Sequence, residues 1–164
     1  MPCIGPSTLL CIEPNKVCPD PPDPASGKVG AGAHTDWGSF TLLCTDDTPG
    51  LRIWFQGNWL GVPPKRNCFI INTGDQIARL AHNHYRSALH RVVTPKNITK
   101  PRYSTAFLTY FGIHARVGSL PRFVGEDNKT PTAVTPTTFE YFHYKLHQSM
   151  GVTKATTPPV TTEQ

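Results

Sequence analysis

Short apolar segments alternate with turn-forming residues through the centre of this sequence, between Gly30 and Phe111. Six of these segments are predicted strands, at residues 40–45, 51–55, 59–62, 68–73, 88–93 and 104–111. The chain also contains 13 glycines and 17 prolines, which favours many turns and short strands. Strands this short and this regularly spaced are typical of a β-sandwich or barrel, so we expect an all-β core.

Two segments depart from the strand pattern. Residues 76–81 fit either a brief helical turn or a strand. Residues 137–150 predict a helix, because Thr137 and Glu140 have the spacing of a capping box and Gly151 follows as a stop signal. Three apolar residues fall on one face at helical spacing: Phe139, Phe142 and Leu146.

A length of 164 residues suits one domain that can bury its own core. Residues 1–29 form an irregular, Pro-rich segment in which residues 7–12 predict a first strand. Residues 30–151 form the predicted β domain, and residues 152–164, rich in Thr and Pro, predict a disordered tail.

The net charge of +5 comes from basic residues spread along the chain without a Lys/Arg run. Nucleic-acid binding would need a clustered basic stripe, so we expect no nucleic-acid partner, while an acidic small-molecule substrate is compatible with the charge. No apolar run reaches the length of a membrane span, and no signal-peptide pattern is visible. We therefore expect a cytoplasmic protein without a membrane partner.

The five cysteines are odd in number and none shows Cys-x-x-Cys spacing, so neither a disulfide framework nor a zinc site is predicted. Cys44 and Cys68 lie in apolar segments, which predicts buried thiols. Cys3, Cys11 and Cys18 lie in an irregular Pro-rich context, which argues against a joint metal site.

His34-Thr35-Asp36 is the local motif with the clearest chemical meaning. In an extended segment, side chains at i and i+2 point to one face, so an imidazole and a carboxylate can converge on one ion. His90 lies in a later predicted strand and could complete the ligand set of two histidines and one carboxylate found in non-haem Fe(II) oxygenases. The spacing alone also fits a surface histidine beside an aspartate, because the chain has 7 histidines.

Arg102-Tyr103-Ser104 opens the last predicted strand. Alternation would place Arg102 and Ser104 on one face, where a guanidinium and a hydroxyl can bind a carboxylate together. The same pattern also fits a solvated charge at a strand end followed by a turn residue.

Five segments occur in the order found in the isopenicillin N synthase-like 2-oxoglutarate/Fe(II) oxygenases, and together they resemble that family. They are the first-ligand segment 30–43, the following turn 46–51, the Asn-x-Gly-Asp strand 69–75, the second-histidine segment 85–92 and the Arg-x-Ser at 102–104. The resemblance runs from about Gly30 to the C-terminal helix.

This resemblance implies a double-stranded β-helix, or jelly roll, with a C-terminal helix. It implies Fe(II) bound by His34, Asp36 and His90, with no catalytic residue beyond these ligands. It also implies 2-oxoglutarate anchored by Arg102 and Ser104. The implied activity is a dioxygenase that hydroxylates or desaturates a small organic molecule and releases succinate and CO2. A monomer is expected, and the sequence does not identify the substrate-binding residues.

Two departures from the family keep alternatives open. The family's large N-terminal region is absent ahead of the jelly roll, and Glu13 stands where the family tends to place a Tyr that helps to bind 2-oxoglutarate. One alternative is therefore a truncated, inactive jelly-roll remnant that at most binds metal. Another is an iron enzyme that does not use 2-oxoglutarate, in which Arg102 and Ser104 hold a carboxylate of the substrate.

Several other residues near the predicted site have two interpretations. Asn72 faces either the substrate or a turn that it stabilises, and Asp75 is expected near the mouth of the barrel. The tryptophans are expected in the core or the cavity wall: Trp37, Trp54 and Trp59. Core packing is expected for Phe107 and Phe111, with the pocket wall as the alternative, and surface positions are expected for His82 and His84.

Overall fold

Two four-stranded antiparallel sheets form the protein, as seen in a computed structural model that describes residues 31–93, 101–124 and 135–151 and the backbone of residues 11–15. The strands, in chain order, are β1 Cys11–Asn15, β2 Ala31–His34, β3 Phe40–Thr45, β4 Leu51–Phe55, β5 Asn58–Gly61, β6 Ile70–Thr73, β7 His90–Val92 and β8 Ser104–Leu108. The helices are α1 Asp75–Leu80, a 3-10 helix Pro121–Phe123 and α2 Thr138–Ser149.

One sheet has the strand order β1-β8-β3-β6 and the other has the order β2-β7-β4-β5. Apart from the β4–β5 hairpin, neighbouring strands are far apart in sequence, as in a jelly roll. Side chains from both sheets line one cavity between them. The predicted all-β jelly roll is therefore confirmed.

The predicted strands agree with the structure best where a turn closes both ends. β3 and β4 have the predicted bounds, and β5 is displaced by one residue. β6 begins at Ile70 and not at residue 68, because Asn67 adopts a positive φ of 57° and the chain turns there. The predicted first strand at residues 7–12 overlaps β1 only at its end, and its earlier residues lie outside the described part of the chain.

The last strand, β8, is shorter than predicted because a neighbouring loop approaches it closely. Thr109 still exchanges backbone hydrogen bonds, accepting from Ser39 N at 2.7 Å and donating to Phe40 O at 2.9 Å. Two residues later, the Phe111 N–H donates to the side-chain amide oxygen of Gln76 at 3.1 Å. The chain therefore leaves the sheet and bonds to α1.

Helix α1 settles the ambiguous segment as helical and anchors the loop after β2. Helix N-termini leave backbone N–H groups without intrahelical partners. Here Gly74 N, Asp75 N and Gln76 N donate to the carbonyls of Ser39, Asp36 and Gly38, at 2.8, 2.8 and 3.0 Å. The start of α1 therefore holds the loop at residues 36–39 by three backbone hydrogen bonds.

Helix α2 has the predicted capping box, and its buried side overlaps only in part with the apolar face that the spacing indicates. The Glu140 N–H donates to the Thr137 hydroxyl at 3.2 Å, and the Thr137 N–H donates to the Glu140 carboxylate at 2.7 Å. Phe139 lies on the apolar face that the spacing indicates, but its side chain is 54% exposed. The buried residues of this helix are Thr138 and Tyr141, and both make polar contacts: Thr138 with Ala115 O and Tyr141 with Asp75.

The polar contact between α2 and α1 centres on the Asp75 carboxylate. Its Oδ2 accepts from the Tyr141 hydroxyl at 3.1 Å and lies 2.9 Å from the Lys145 ammonium. Burial, together with the negative charge of Asp75, raises the pKa of Tyr141, so this hydroxyl stays protonated and donates at neutral pH. Neither α1 nor α2 is long and apolar enough to cross a membrane, and the described residues include no other helix that could.

Three predictions about burial are wrong. Cys44 is exposed because β3 alternates, with Thr41 and Leu43 directed into the cavity and Cys44 directed outward. Cys68 is exposed because it precedes β6 beside the turn at Asn67. Trp54 is 43% exposed, and it packs against Trp59 across the outer face of the β4–β5 pair.

The proposed division of the chain stays a prediction. The N-terminal segment is described only as backbone at β1, and the expected tail at residues 152–164 lies outside the described residues. Cys3 and Cys18 also lie outside them, so the expectation that they form no metal site with Cys11 is untested.

The close approach of the residue 36–39 loop to α1 predicts a strong effect of Gly74→Ala on stability. A Cβ at this position would lie 2.4 Å from Gly38 O and 2.9 Å from Asp36 O, and both are backbone atoms. We expect a loss of roughly 1–3 kcal/mol or more in the free energy of unfolding, measured by urea denaturation. Gly61→Ala is the control, since its added Cβ meets nothing within 4 Å. Equal stability of the two variants would contradict the anchoring of this loop.

Candidate metal and co-substrate site

Two histidines face each other on neighbouring strands. His34 ends β2 and is in register with His90, which begins β7, and the two rings are 4.3 Å apart between centroids. The register shifts within β2, between Ala31 and His34. Adjacent strands therefore bring together two imidazoles that are far apart in sequence.

Each histidine is oriented by a backbone carbonyl two residues before it. His34 Nδ1 lies 2.7 Å from Gly32 O, and His90 Nδ1 lies 2.9 Å from Ala88 O. Since a carbonyl can only accept, each Nδ1 carries the proton and each Nε2 is left with a lone pair. Such a bond is the usual support for a histidine that binds a metal through the other nitrogen.

Asp36 presents one carboxylate oxygen to both histidines. Its Oδ1 lies 3.8 Å from His34 Nε2 and 3.7 Å from His90 Nε2. Its Oδ2 is engaged, accepting from the Thr41 hydroxyl at 2.6 Å and from the Asn72 amide at 2.8 Å. The residue is 7% exposed, so these two bonds satisfy the buried side of a carboxylate that otherwise would be costly to bury.

The three side chains are arranged as a metal-binding group would be. One ligand atom from each of His34, Asp36 and His90 lies within 4.8 Å of the others. Two imidazole nitrogens and one carboxylate oxygen suit a divalent transition metal, with further coordination positions left for other ligands. The structure therefore brings together the three residues singled out in the sequence.

The group opens into a cavity of about 430 Å³ between the sheets. Its walls are largely apolar and come from both sheets: Leu43, Leu51, Ile53, Ile70, Ala106 and Leu108. Trp37 also lines the cavity, as one of the two predicted environments for it, and its ring packs on Phe142 of α2 at 5.7 Å. Such a cavity can hold a small organic molecule in a space with little water.

Arg102 and Ser104 are in contact, as their spacing predicts. Arg102 Nη1 donates to the Ser104 hydroxyl at 3.2 Å, and Ser104 lines the cavity. Arg102 is 6% exposed, and its Nε has no hydrogen-bond partner among the described residues. Burial lowers the pKa of Arg102, and the nearby Asp46 carboxylate offsets part of this effect, so the guanidinium remains a cation at neutral pH. A buried cation with a free donor is suited to an anionic ligand.

Thr41 and Asn72 are the two site residues whose roles the sequence did not indicate. They are cross-strand partners on β3 and β6, and both line the cavity. Asn72 donates to Asp36, a contact that the sequence did not predict, and its position on the cavity wall is compatible with the predicted role of facing the substrate. A signal existed in principle, because both are polar residues at inward positions of otherwise apolar strands.

The remaining candidates lie away from the cavity. His82 and His84 are exposed, as predicted, and Phe107 and Phe111 are absent from the cavity wall among the described residues. Asp75 is buried and accepts a hydrogen bond from Tyr141 of α2, and its expected place near the barrel mouth stays a prediction. The backbone of Glu13 pairs with that of Ala106, a cavity-lining residue.

Comparison with known proteins agrees with this geometry. The family model described as the 2OG-Fe(II) oxygenase superfamily matches residues 7–109, more than half of the chain. Among curated relatives, the 2-oxoglutarate-dependent dioxygenase citB of Monascus ruber is 40% identical over 109 residues, which cover 65% of this chain and 32% of that protein. Clavatol oxidase claD of Penicillium crustosum is 34% identical over 127 residues, which cover 76% of this chain and 36% of that protein.

Solved structures show the same architecture. A full-length Neurospora crassa protein in complex with alpha-KG superposes with a TM-score of 0.69 at 28% identity, covering 77% of this chain and 39% of that one. JOX2 in complex with 2OG, Fe and JA superposes with a TM-score of 0.62 at 32% identity, covering 72% of this chain and 33% of that one. The chain thus spans about a third of the length of the curated relatives that it matches. The matched family model, the fold and the relatives together show that this chain belongs to the 2OG-Fe(II) oxygenase superfamily.

Proposed function

We propose that the protein is an Fe(II)- and 2-oxoglutarate-dependent dioxygenase with His34, Asp36 and His90 as the metal ligands. The observation that carries the proposal is the convergence of His34 Nε2, Asp36 Oδ1 and His90 Nε2 within 4.8 Å of one another beside the cavity. All other polar atoms of these side chains already have partners, so the three free atoms are the ones left for a metal.

We infer that Arg102 and Ser104 hold the carboxylate of 2-oxoglutarate that lies away from the metal. The buried guanidinium offers an Nε–H that has no partner among the described residues, and Ser104 adds a hydroxyl on the cavity wall. Burial strengthens a charge-assisted hydrogen bond, because water competes less for the donor. The inward side chains between this pair and the metal ligands are small or apolar, including Ala106 and Leu43.

When bound, the iron would supply the redox chemistry by which one O2 oxidises both 2-oxoglutarate, to succinate and CO2, and the substrate. The chain orients both reactants and keeps them from bulk water. Asp36 contributes here because Thr41 and Asn72 fix the rotation of its carboxylate, so that a single oxygen faces the metal. The apolar walls exclude water from the space where the substrate would react.

The proposed substrate is a small organic molecule, and either hydroxylation or desaturation fits this site. The names of similar proteins point to compounds as different as clavatol, 1-aminocyclopropane-1-carboxylate and thymine. A shared metal site with variable substrates is consistent with an arrangement in which the cavity walls, and not the ligands, select the compound. A monomer and a cytoplasmic location remain predictions from the sequence.

The first test is an anaerobic titration of the purified chain with Fe(II) and then 2-oxoglutarate. We expect a visible absorption band from the ternary complex, and succinate after oxygen is admitted. His34→Ala should abolish the band, because it removes one of three metal ligands. His84→Ala, at an exposed turn, should leave it unchanged. A band without succinate would favour the inactive remnant, and turnover of a substrate without 2-oxoglutarate would favour the other alternative.

Arg102→Ala should separate binding of the co-substrate from binding of the metal. Removing a buried charged donor costs about 2–5 kcal/mol, so we expect the affinity for 2-oxoglutarate to fall by about 30-fold or more. The affinity for Fe(II), measured in the same anaerobic titration without 2-oxoglutarate, should change by less than about 3-fold, since the Arg102 guanidinium bonds to Ser104 and not to a metal ligand. Equal losses of both affinities would refute the assigned role.

Thr41→Val should weaken metal binding while keeping the shape of the residue. The change removes the 2.6 Å hydrogen bond to Asp36 Oδ2, and loss of such support typically costs about 10- to 100-fold in metal affinity. Thr105→Val is the matched control, because Thr105 is exposed on β8. The measurement is a Co(II) titration followed by absorption. Unaltered affinity would show that the bond from Asn72 alone is enough to orient Asp36.

A further inference from the structure

Asp46 is the first residue after β3, and its carboxylate makes two backbone contacts. Its Oδ2 accepts from the Tyr103 N–H at 2.8 Å, and its Oδ1 accepts from the Thr48 N–H at 2.8 Å. Its own N–H donates to Tyr103 O at 3.0 Å. Asp46 therefore bonds to both the backbone N–H and the backbone carbonyl of Tyr103, the residue between Arg102 and Ser104.

These contacts extend the sheet beyond its last regular pair. The β3–β8 pairing ends at Thr45 and Ser104, and the next residues would be Asp46 and Tyr103. In an antiparallel ladder, such a pair would exchange two backbone hydrogen bonds. Here one bond is the regular one from Asp46 N, but the returning bond from Tyr103 N goes to the Asp46 carboxylate.

This replacement lets one strand turn while its neighbour stays straight. The bond from Thr48 N to Asp46 Oδ1 starts the turn that leads to β4, as an aspartate commonly does. The backbone of Asp46 can therefore leave the ladder, while its side chain continues to pair with Tyr103. Arg102, which lies ahead of β8, would otherwise have no strand partner next to it that fixes the backbone, among the residues that the structure describes.

Asp46 also acts on Arg102 through charge. Burial raises the pKa of Asp46, but the hydrogen bonds from Tyr103 and Thr48 and the Arg102 charge outweigh burial, and the net shift is downward. The carboxylate is therefore ionised at neutral pH and stabilises the buried guanidinium.

We infer that Asp46 is a positioning residue for 2-oxoglutarate: its carboxylate fixes the backbone of Tyr103, next to Arg102, and so fixes the direction of the Arg102 guanidinium. The inference rests on the proposed function, since it concerns the same co-substrate site. It assigns Asp46 an effect on the affinity for 2-oxoglutarate that operates through Arg102 and not through contact with the ligand.

The sign of the effect distinguishes this role from simple electrostatics. A negative charge near the carboxylate of a ligand should repel it, so Asp46→Asn would tighten binding if repulsion dominated. If positioning dominates, the same change weakens binding, because an asparagine has one acceptor oxygen for two N–H donors. The direction of the change therefore decides between the two effects.

The experiment measures affinities for 2-oxoglutarate and Fe(II) by anaerobic titration of Asp46→Asn. We expect 2-oxoglutarate to bind about 10-fold more weakly and Fe(II) to bind within about 2-fold of the wild type. The matched control is Asp47→Asn, since Asp47 is exposed and its carboxylate pairs with Arg66 Nε at 2.9 Å. Unchanged or tighter binding by Asp46→Asn, or an equal loss in Asp47→Asn, would overturn the inference.

A double-mutant cycle with Arg102→Ala tests whether Asp46 acts through the guanidinium. In the Arg102→Ala background, adding Asp46→Asn should change the remaining affinity by less than about 2-fold. A full additional 10-fold loss would indicate general destabilisation and overturn the positioning role. If thermal unfolding shows that Asp46→Asn is not folded, Asp46→Ser, which keeps one acceptor, takes its place in the same cycle. A wild-type chain that binds no 2-oxoglutarate would refute the proposed function itself, whereas normal wild-type binding with unaffected variants would refute only the role of Asp46.

Discussion

The loop that carries Asp36 is fixed by three consecutive backbone N–H groups at the start of α1, and the site depends on that contact. A loop between strands is usually the most mobile part of a sheet protein, yet this one holds a buried carboxylate. The helix needs acceptors for its first N–H groups and the loop needs donors for its carbonyls, so each satisfies the other. Gly74 allows the helix start and the loop to come this close, because a Cβ there would lie 2.4 Å from Gly38 O.

The polar atoms of the three metal-ligand side chains fall into two groups: those that form hydrogen bonds within the protein, and those that remain available to a metal. Both Nδ1 atoms and Asp36 Oδ2 are bonded within the protein, while both Nε2 atoms and Asp36 Oδ1 are available. Because the ligand side chains are oriented before an ion binds, the loss of conformational entropy on binding is smaller. The same division holds at Arg102, where Nη1 is bonded to Ser104 and Nε is free among the described residues.

The sequence predicted most accurately those features that follow from strand alternation or from a short motif. Alternation located β3 and β4 to the residue, and the motif His34-Thr35-Asp36 with His90 identified the group that the strands bring together. The prediction was incomplete at α2, where helical spacing grouped Phe139 with Phe142, but Phe139 is exposed and Tyr141, outside that group, is buried and bonds to Asp75. A preference set by one distant carboxylate leaves no trace in the local pattern.

The local sequence pattern also could not predict the residues that position the ligands, because their contacts form between distant segments. Thr41 and Asn72 are adjacent only after β3 pairs with β6, and Asp46 meets Tyr103 only after β3 pairs with β8. Their roles depend on strand order, which one sequence does not specify. Residues such as Arg102, in contrast, could be singled out because charge and spacing are local properties.

Strand alternation has one more consequence on β6. Asn72 points inward, whereas its neighbour Ile71 is 62% exposed, and the preceding Phe69 is 65% exposed. Residues of β6 that support the metal site thus alternate with residues that form an exposed apolar surface. Substitutions at the outward positions therefore change the hydrophobicity of the outer surface without changing the side chain that faces the cavity.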